Sequence, residues 1–152
     1  MKKTLMILGG IFGALIIVGI IGFVLLTIKG TSLDKESKAY VDQVSPVILA
    51  NLNKETLFQY ASEDLKNAAP AEEFEKIFDW FGKLGQFKRY NGSKGQATML
   101  LTTKSKGRIT AYYEAQAEFE SGPATVRITT IKEGNDWRII GFHINSMALA
   151  NK

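Results

Sequence analysis

Few residues in this 152-residue chain could carry chemistry, and they are scattered. His143 is the one histidine. A histidine shuttles protons near neutral pH when a carboxylate orients its ring. No carboxylate stands beside His143 in the sequence, so a partner would have to come from the helices or from Glu114. A hydrogen-bonded structural histidine requires fewer partners. Glu114, Glu118 and Glu120 alternate, which places three carboxylates on one strand face. Paired carboxylates can do acid–base work or hold a cation, but a solvated face explains them without either. There is no cysteine, which excludes disulfides, thiolate catalysis, thiolate metal sites and N-terminal lipoprotein attachment. No phosphate-binding glycine loop or metal cluster stands out, and no cofactor is expected.

The basic residues form a second pattern. Lys83, Lys88, Arg89, Lys94, Lys104, Lys106 and Arg108 follow one another with no acid among them. The preceding stretch from Glu55 to Asp79 holds seven acids against Lys66 and Lys76. Such polarity steers an acidic partner or lipid headgroups, or is plain solvated surface. The overall pI near 9.2 does not describe a basic domain. Lys2, Lys3 and Lys29 flank an uncharged run, and without them sixteen bases face fifteen acids. A nucleic-acid partner is therefore not expected. Asn91-Gly92-Ser93 matches the N-glycosylation triplet, which is frequent by chance.

The elements that must position these residues begin with that uncharged run. Leu5 to Ile28 has only Thr27 as a polar residue. As a helix it spans roughly 36 Å, enough to cross about 30 Å of hydrocarbon. It is too long for a signal-peptide core and has no small-x-small cleavage site after it, so a retained signal-anchor is expected. Gly9 with Gly13, and Gly10 with Ala14, form a small-residue face suited to a helix–helix contact or to ordinary membrane-helix glycine content. The short basic tail, 1–4, is hard to translocate. The expected topology is single-pass in a bacterial inner membrane, with the N-terminus cytoplasmic and the C-terminal domain periplasmic or extracellular.

Residues 29–37 read as a linker and helix start, with Thr31 and Asp34 as a loose capping box. Val41, Val44, Val47, Ile48 and Leu52 continue a helix that Pro46 kinks or splits. Asn53 caps a second helix, with Leu57, Phe58, Ala61 and Leu65 on its buried face. Pro70 opens a third, striped by Phe74, Ile77, Phe78, Phe81 and Leu84, with Gly85 as its terminal glycine. Beyond Gly85 the period falls to two. Gln86 to Tyr90 is a short strand, Asn91-Gly92 a turn, and Gln96 to Thr103 the next strand. Arg108 to Glu120 is the clearest strand, with Ile109, Ala111, Tyr113, Ala115, Ala117 and Phe119 on its buried face. Ala124 to Lys132 and Trp137 to Ile144 close the sheet, and 147–152 is a tail. Helices first and antiparallel strands after them predict an α+β domain, helices on one face of a curved sheet, behind the transmembrane helix.

Tyr113-Glu114-Ala115, Phe119 to Gly122, the strand Ala124 to Ile131, and Gly134 to Phe142 carry a likeness. The stretch from Tyr112 to Ile144, with the helices before it, resembles the nuclear transport factor 2-like (cystatin-like) superfamily over about 38–146. That resemblance implies a cone-like α+β domain, often with an internal pocket. Its members include isomerases and dehydratases, small-ligand binders and scaffolding subunits. Its enzymes place an acid or a His–Asp pair inside the cone. This chain departs from that pattern, because alternation groups its one histidine with Trp137, Ile139 and Gly141. A pocket, if formed, would use Tyr113, Trp137 and His143. The membrane-anchored layout is similar to an inner-membrane subunit of type IV secretion machines. The leading expectation is a non-enzymatic, membrane-anchored domain that binds a protein partner or a second copy of itself, as an accessory or assembly subunit. The alternative is an isomerase-like or small apolar ligand-binding pocket.

Overall fold

A computed structural model describes residues 25–26, 31–102 and 105–150, with side chains over 32–99 and 107–150. Helix α1 runs unbroken from Thr31 to Asn51, with Pro46 inside it. Pro46 removes one backbone donor, but apolar residues on both sides keep the helix docked: Val41, Val44, Ile48 and Leu49 are all buried. The helix is therefore not split as its proline suggests. Its stripe also differs by one step, since Val47 faces out and Leu49 takes the inner place. Leu52 ends it at φ +35, a left-handed turn closed by its N–H on the Ile48 carbonyl at 2.8 Å.

The second expected helix is two. Helix α2 covers Lys54–Tyr60, capped by Asn53, whose side chain accepts from the Thr56 N–H at 2.7 Å. Helix α3 covers Glu63–Lys66, capped by Ser62. Between them Ala61 is extended and bridges Ile139 of the sheet, while the Ser62 N–H donates to the Ile139 carbonyl at 2.8 Å. That edge pairing replaces the helical turn. Helix α4, Ala71–Phe81, opens after Pro70 with Glu72 and Glu73 at its positive end. It buries Phe74, Ile77, Phe78 and Phe81. A 3-10 turn, Gly82–Leu84, leads to Gly85 at φ +76, where a Cβ would meet the Glu120 carboxylate at 2.6 Å.

The sheet is an antiparallel meander in chain order. A two-residue strand β1, Leu25–Leu26, precedes four long ones. These are β2 (Phe87–Thr102), β3 (Ser105–Phe119), β4 (Gly122–Glu133) and β5 (Asp136–Asn145). A short helix α5, Met147–Ala150, follows. The expected Asn91-Gly92 hairpin does not form, and β2 runs through it. Tyr90 pairs with Ala117 and Ser93 with Ala115, so two residues oppose one. This is a bulge, and Gly92 supplies its positive φ of +93. Asn-Gly favours positive φ in either setting, which is why it read as a turn.

The inner face of the sheet is built from Ala97, Ala111, Tyr113, Ala115, Ala117, Val126, Ile128, Ile139, Phe142 and Ile144. The alternation read along β3 is the one observed. Against this face stand Val41, Ile48, Leu57, Leu65, Phe74, Phe81 and Leu84 from the helical side. Fully burying side chains of this size stabilises by about 1.5–3 kcal/mol each before entropy is counted. The α+β layout is thus as expected.

Among the described residues, no helix is long and apolar enough to cross a membrane. The predicted membrane segment lies outside the described residues except at its end. There Leu25 and Leu26 are strand, paired with Leu100 and Met99, so a helix cannot run on to Ile28.

Candidate functional site

Tyr113, Trp137 and His143 are not brought together. Tyr113 is fully buried, and its hydroxyl donates to the Asp34 carbonyl at 2.9 Å and meets Ser37 Oγ at 2.7 Å. Burial raises its pKa. Trp137 packs in the core, with the Lys132 ammonium 5.8 Å from its ring centroid. Its indole N–H faces Glu36 without hydrogen-bond geometry. His143 is on the opposite face. Thr129 pairs with Gly141 and Thr130 with Ile139, which leaves Ile140 as a bulge. One extra residue inverts the alternation, so Phe142 and Ile144 turn inward and His143 outward. The sequence grouping of His143 with Trp137 and Ile139 fails for that reason.

On the outer face His143 pairs across the sheet with Arg127, and Arg127 with Glu114. Burial and the Arg127 guanidinium hold the His143 pKa below its ordinary value. Glu114 accepts from Arg127 Nε at 3.2 Å and from the Tyr112 hydroxyl at 3.0 Å. Glu118 pairs with Arg89 at 2.7 Å, and Glu120 accepts the Gln86 N–H at 2.9 Å. The three carboxylates therefore serve three separate partners and do not converge. Among the described residues, no group of His, Cys, Asp and Glu could hold a metal ion.

The basic run is likewise dispersed. Lys83 follows α4, Lys88 and Arg89 lie at one end of β2, Lys94 lies midway, and Lys106 and Arg108 lie at the start of β3. Roughly 40 Å of strand separates Lys88 from the Arg108 level. Arg89 and Arg108 have acidic partners, Arg108 reaching Asp64 at 3.6 Å. Lys104 lies outside the described residues, as do Gly9, Gly10, Gly13 and Ala14.

The most elaborate polar cluster joins α1 to the sheet. Tyr90 Oη and Ser93 Oγ both donate to Asp42 Oδ1 at 2.7 Å, and Lys38 binds its other oxygen. Burial pushes Asp42 up, but these hydrogen bonds together outweigh it and hold the carboxyl below its ordinary value. Tyr90 is pushed up by burial and by Asp42. Two turns earlier, Asp34 Oδ1 accepts the Ala97 N–H at 2.7 Å. Asp34 is thus a tie between α1 and β2, where the sequence suggests a cap. An ionised carboxylate with three donors is a poor proton acceptor, and the cluster positions the helix. Its sequence signal was Ser37 and Ser45 in phase with Val41 and Ile48, polar residues on a buried helix face.

Few large apolar side chains are exposed among the described residues: Val47, Tyr112 and, at 74 %, Met147. Met147 borders an open hollow of about 320 Å³ with Gln116, Pro123, Thr125 and Asn145. A second hollow of about 340 Å³ lies among Asn53, Lys54, Glu55, Glu75 and Asp79. Neither includes Tyr113, Trp137 or His143. Comparison with protein-family models, with curated proteins and with solved structures finds no match for this chain.

Proposed function

We propose that this chain is a membrane-tethered domain that binds a partner protein, as an accessory or assembly subunit of a larger membrane complex, and that it works at its surface. Its helix would be Leu5 to Val24, single-pass in a bacterial inner membrane, with the domain on the periplasmic or outer side. The nuclear transport factor 2-like cone belongs to this reading, supported by the helices that precede and cover one face of a four-stranded antiparallel meander.

One observation carries the proposal. The space where a cone-shaped enzyme would hold its polar groups is occupied by Tyr113, Phe74, Phe81 and Phe142, all fully buried. An apolar ligand or isomerase substrate would have to displace them, at a cost comparable to cutting out a core side chain. The groups that could recognise something are outside: the Tyr112, Glu114, Arg127 and His143 ladder, and exposed Met147 beside its hollow. Methionine adapts to irregular partner surfaces.

The test is extraction of the full chain in mild detergent, native sizing, and mass spectrometry of what co-elutes. A stoichiometric partner, released by Met147→Asp with the domain still folded, supports the reading. A lone monomer that takes up an apolar ligand reverses it in favour of the pocket.

A further inference from the structure

Asn91 is the one asparagine in the chain followed by glycine; the others precede Leu52, Lys54, Ala68, Asp136, Ser146 and Lys152. The neighbour matters because the side-chain carbonyl carbon of asparagine is an electrophile close to the nitrogen of the next peptide. A side chain on that next residue hinders ring closure between them, and glycine has none. The surroundings of Gly92 are open as well: a Cβ built there would meet nothing within 4 Å.

The fold presents this pair to solvent. Asn91 is exposed and Gly92 half-buried. The register passes from Tyr90 opposite Ala117 to Ser93 opposite Ala115, so neither Asn91 nor Gly92 has a partner in it. A regular ladder restrains such a nitrogen, and a bulge loosens that restraint. β2 is also the sheet edge here, since β1 pairs only with Met99 and Leu100. The residues that bracket the bulge are the ones that hold α1. Tyr90 Oη and Ser93 Oγ both donate to Asp42 Oδ1 at 2.7 Å.

We propose that Asn91 is a self-modification site: the folded chain converts Asn91-Gly92 to an isoaspartyl linkage, and this unfastens α1 from β2. Hydroxide takes the proton of the Gly92 N–H, and the nitrogen attacks Asn91 Cγ. The N–Cγ bond forms, the Cγ–Nδ2 bond breaks, and the leaving nitrogen takes a proton from water and departs as ammonia. Water then opens the cyclic imide. Breaking the bond from Gly92 N to Cγ gives aspartate at 91. Breaking the bond from Gly92 N to the main-chain carbonyl carbon gives isoaspartate, whose main chain runs through Cβ and Cγ. That path is one atom longer between Tyr90 and Ser93, so the spacing that lets both hydroxyls reach one carboxylate oxygen is lost. Aspartate at 91 adds the same charge without the extra atom, which separates the two effects.

The test ages the full chain in mild detergent at physiological temperature and mildly alkaline pH. Samples taken over days go to peptide mapping by mass spectrometry, with isoaspartyl methyltransferase labelling to tell isoaspartate from aspartate. Emission from Trp80 and Trp137 shows that the chain stays folded, and a urea-unfolded sample runs alongside. The expected result is conversion at Asn91 in the folded chain, several-fold faster than at any other asparagine and proportional to hydroxide. It should vanish in Asn91→Gln, whose longer side chain closes the ring far more slowly. Conversion confined to the unfolded sample, or no faster at Asn91 than at Asn135 or Asn145, overturns the site. The isoaspartyl form, enriched by ion exchange, should unfold at a lower urea concentration than Asn91→Asp. Equal midpoints overturn the unfastening.

Discussion

Tyr113 shows how a residue with catalytic potential becomes structural. Its hydroxyl is consumed by Ser37 and the Asp34 carbonyl, and its side chain is fully buried. Tyr113→Phe should lower the unfolding free energy by about 1–2 kcal/mol in urea titration, because buried partners lose a hydrogen bond. Unchanged stability would show that the bond contributes nothing. Asp42 predicts a pH dependence. Its folded-state pKa is depressed below the unfolded value near 3.9, so its contribution is present above about pH 4 and lost as pH falls through the folded value. Asp42→Asn should flatten the acid limb of the urea midpoint in that window. His143 has the opposite charge logic. Its pKa lies below the ordinary 6.5, so folding disfavours its proton and stability falls as pH drops below about 6.5. As the one histidine, it gives a single proton NMR titration, expected with a midpoint under 6.5. Residue types made His143 and Tyr113 visible in the sequence. Their surroundings were invisible, because a hydroxyl's partners lie more than seventy residues away.

At the scale of elements, periodicity located α1, α4 and strands β3 to β5 but read β2 as two strands and missed the irregularities. Alternation read β3 correctly because it is unbroken from Ile109 to Phe119. It failed in β5 because Ile140 adds one residue, and it missed the continuity of β2 because a bulge and a turn both call for Asn-Gly. The break at Ala61 was equally hidden, being imposed by pairing with Ile139. Gly95 marks another constraint that composition conceals. A Cβ there would stand 1.9 Å from the Tyr112 carbonyl oxygen, in backbone that cannot yield. Gly95→Ala should therefore cost about 3 kcal/mol or more, read as a large fall in melting temperature. A variant as stable as the parent would mean that the two strands separate there at little cost.

For the whole molecule, the α+β architecture was legible because the switch of period at Gly85 divides helices from sheet. The interior was not, since filling depends on which aromatic rings meet, such as Phe58 against Phe74 at 5.0 Å. The proposed anchor also carries a prediction. If its small-residue face meets another membrane helix, Gly9→Leu with Gly13→Leu should weaken co-purification of the partner while flotation persists. Recovery at parental levels would place the contact in the domain instead.

The ties of α1 impose an order on synthesis. Asp42 waits for Tyr90, 48 residues downstream, and Glu36 for Lys132, 96 residues downstream. Until those strands emerge, Val41, Ile48 and Leu49 have no sheet to cover them. If the chain is tethered as proposed, this uncovered helix would be made beside a bilayer, which would offer its apolar stripe a temporary shelter. A nascent chain stopped before Phe87 should accordingly hold α1 against lipid, and lengthening it through Phe119 should release the helix to its sheet.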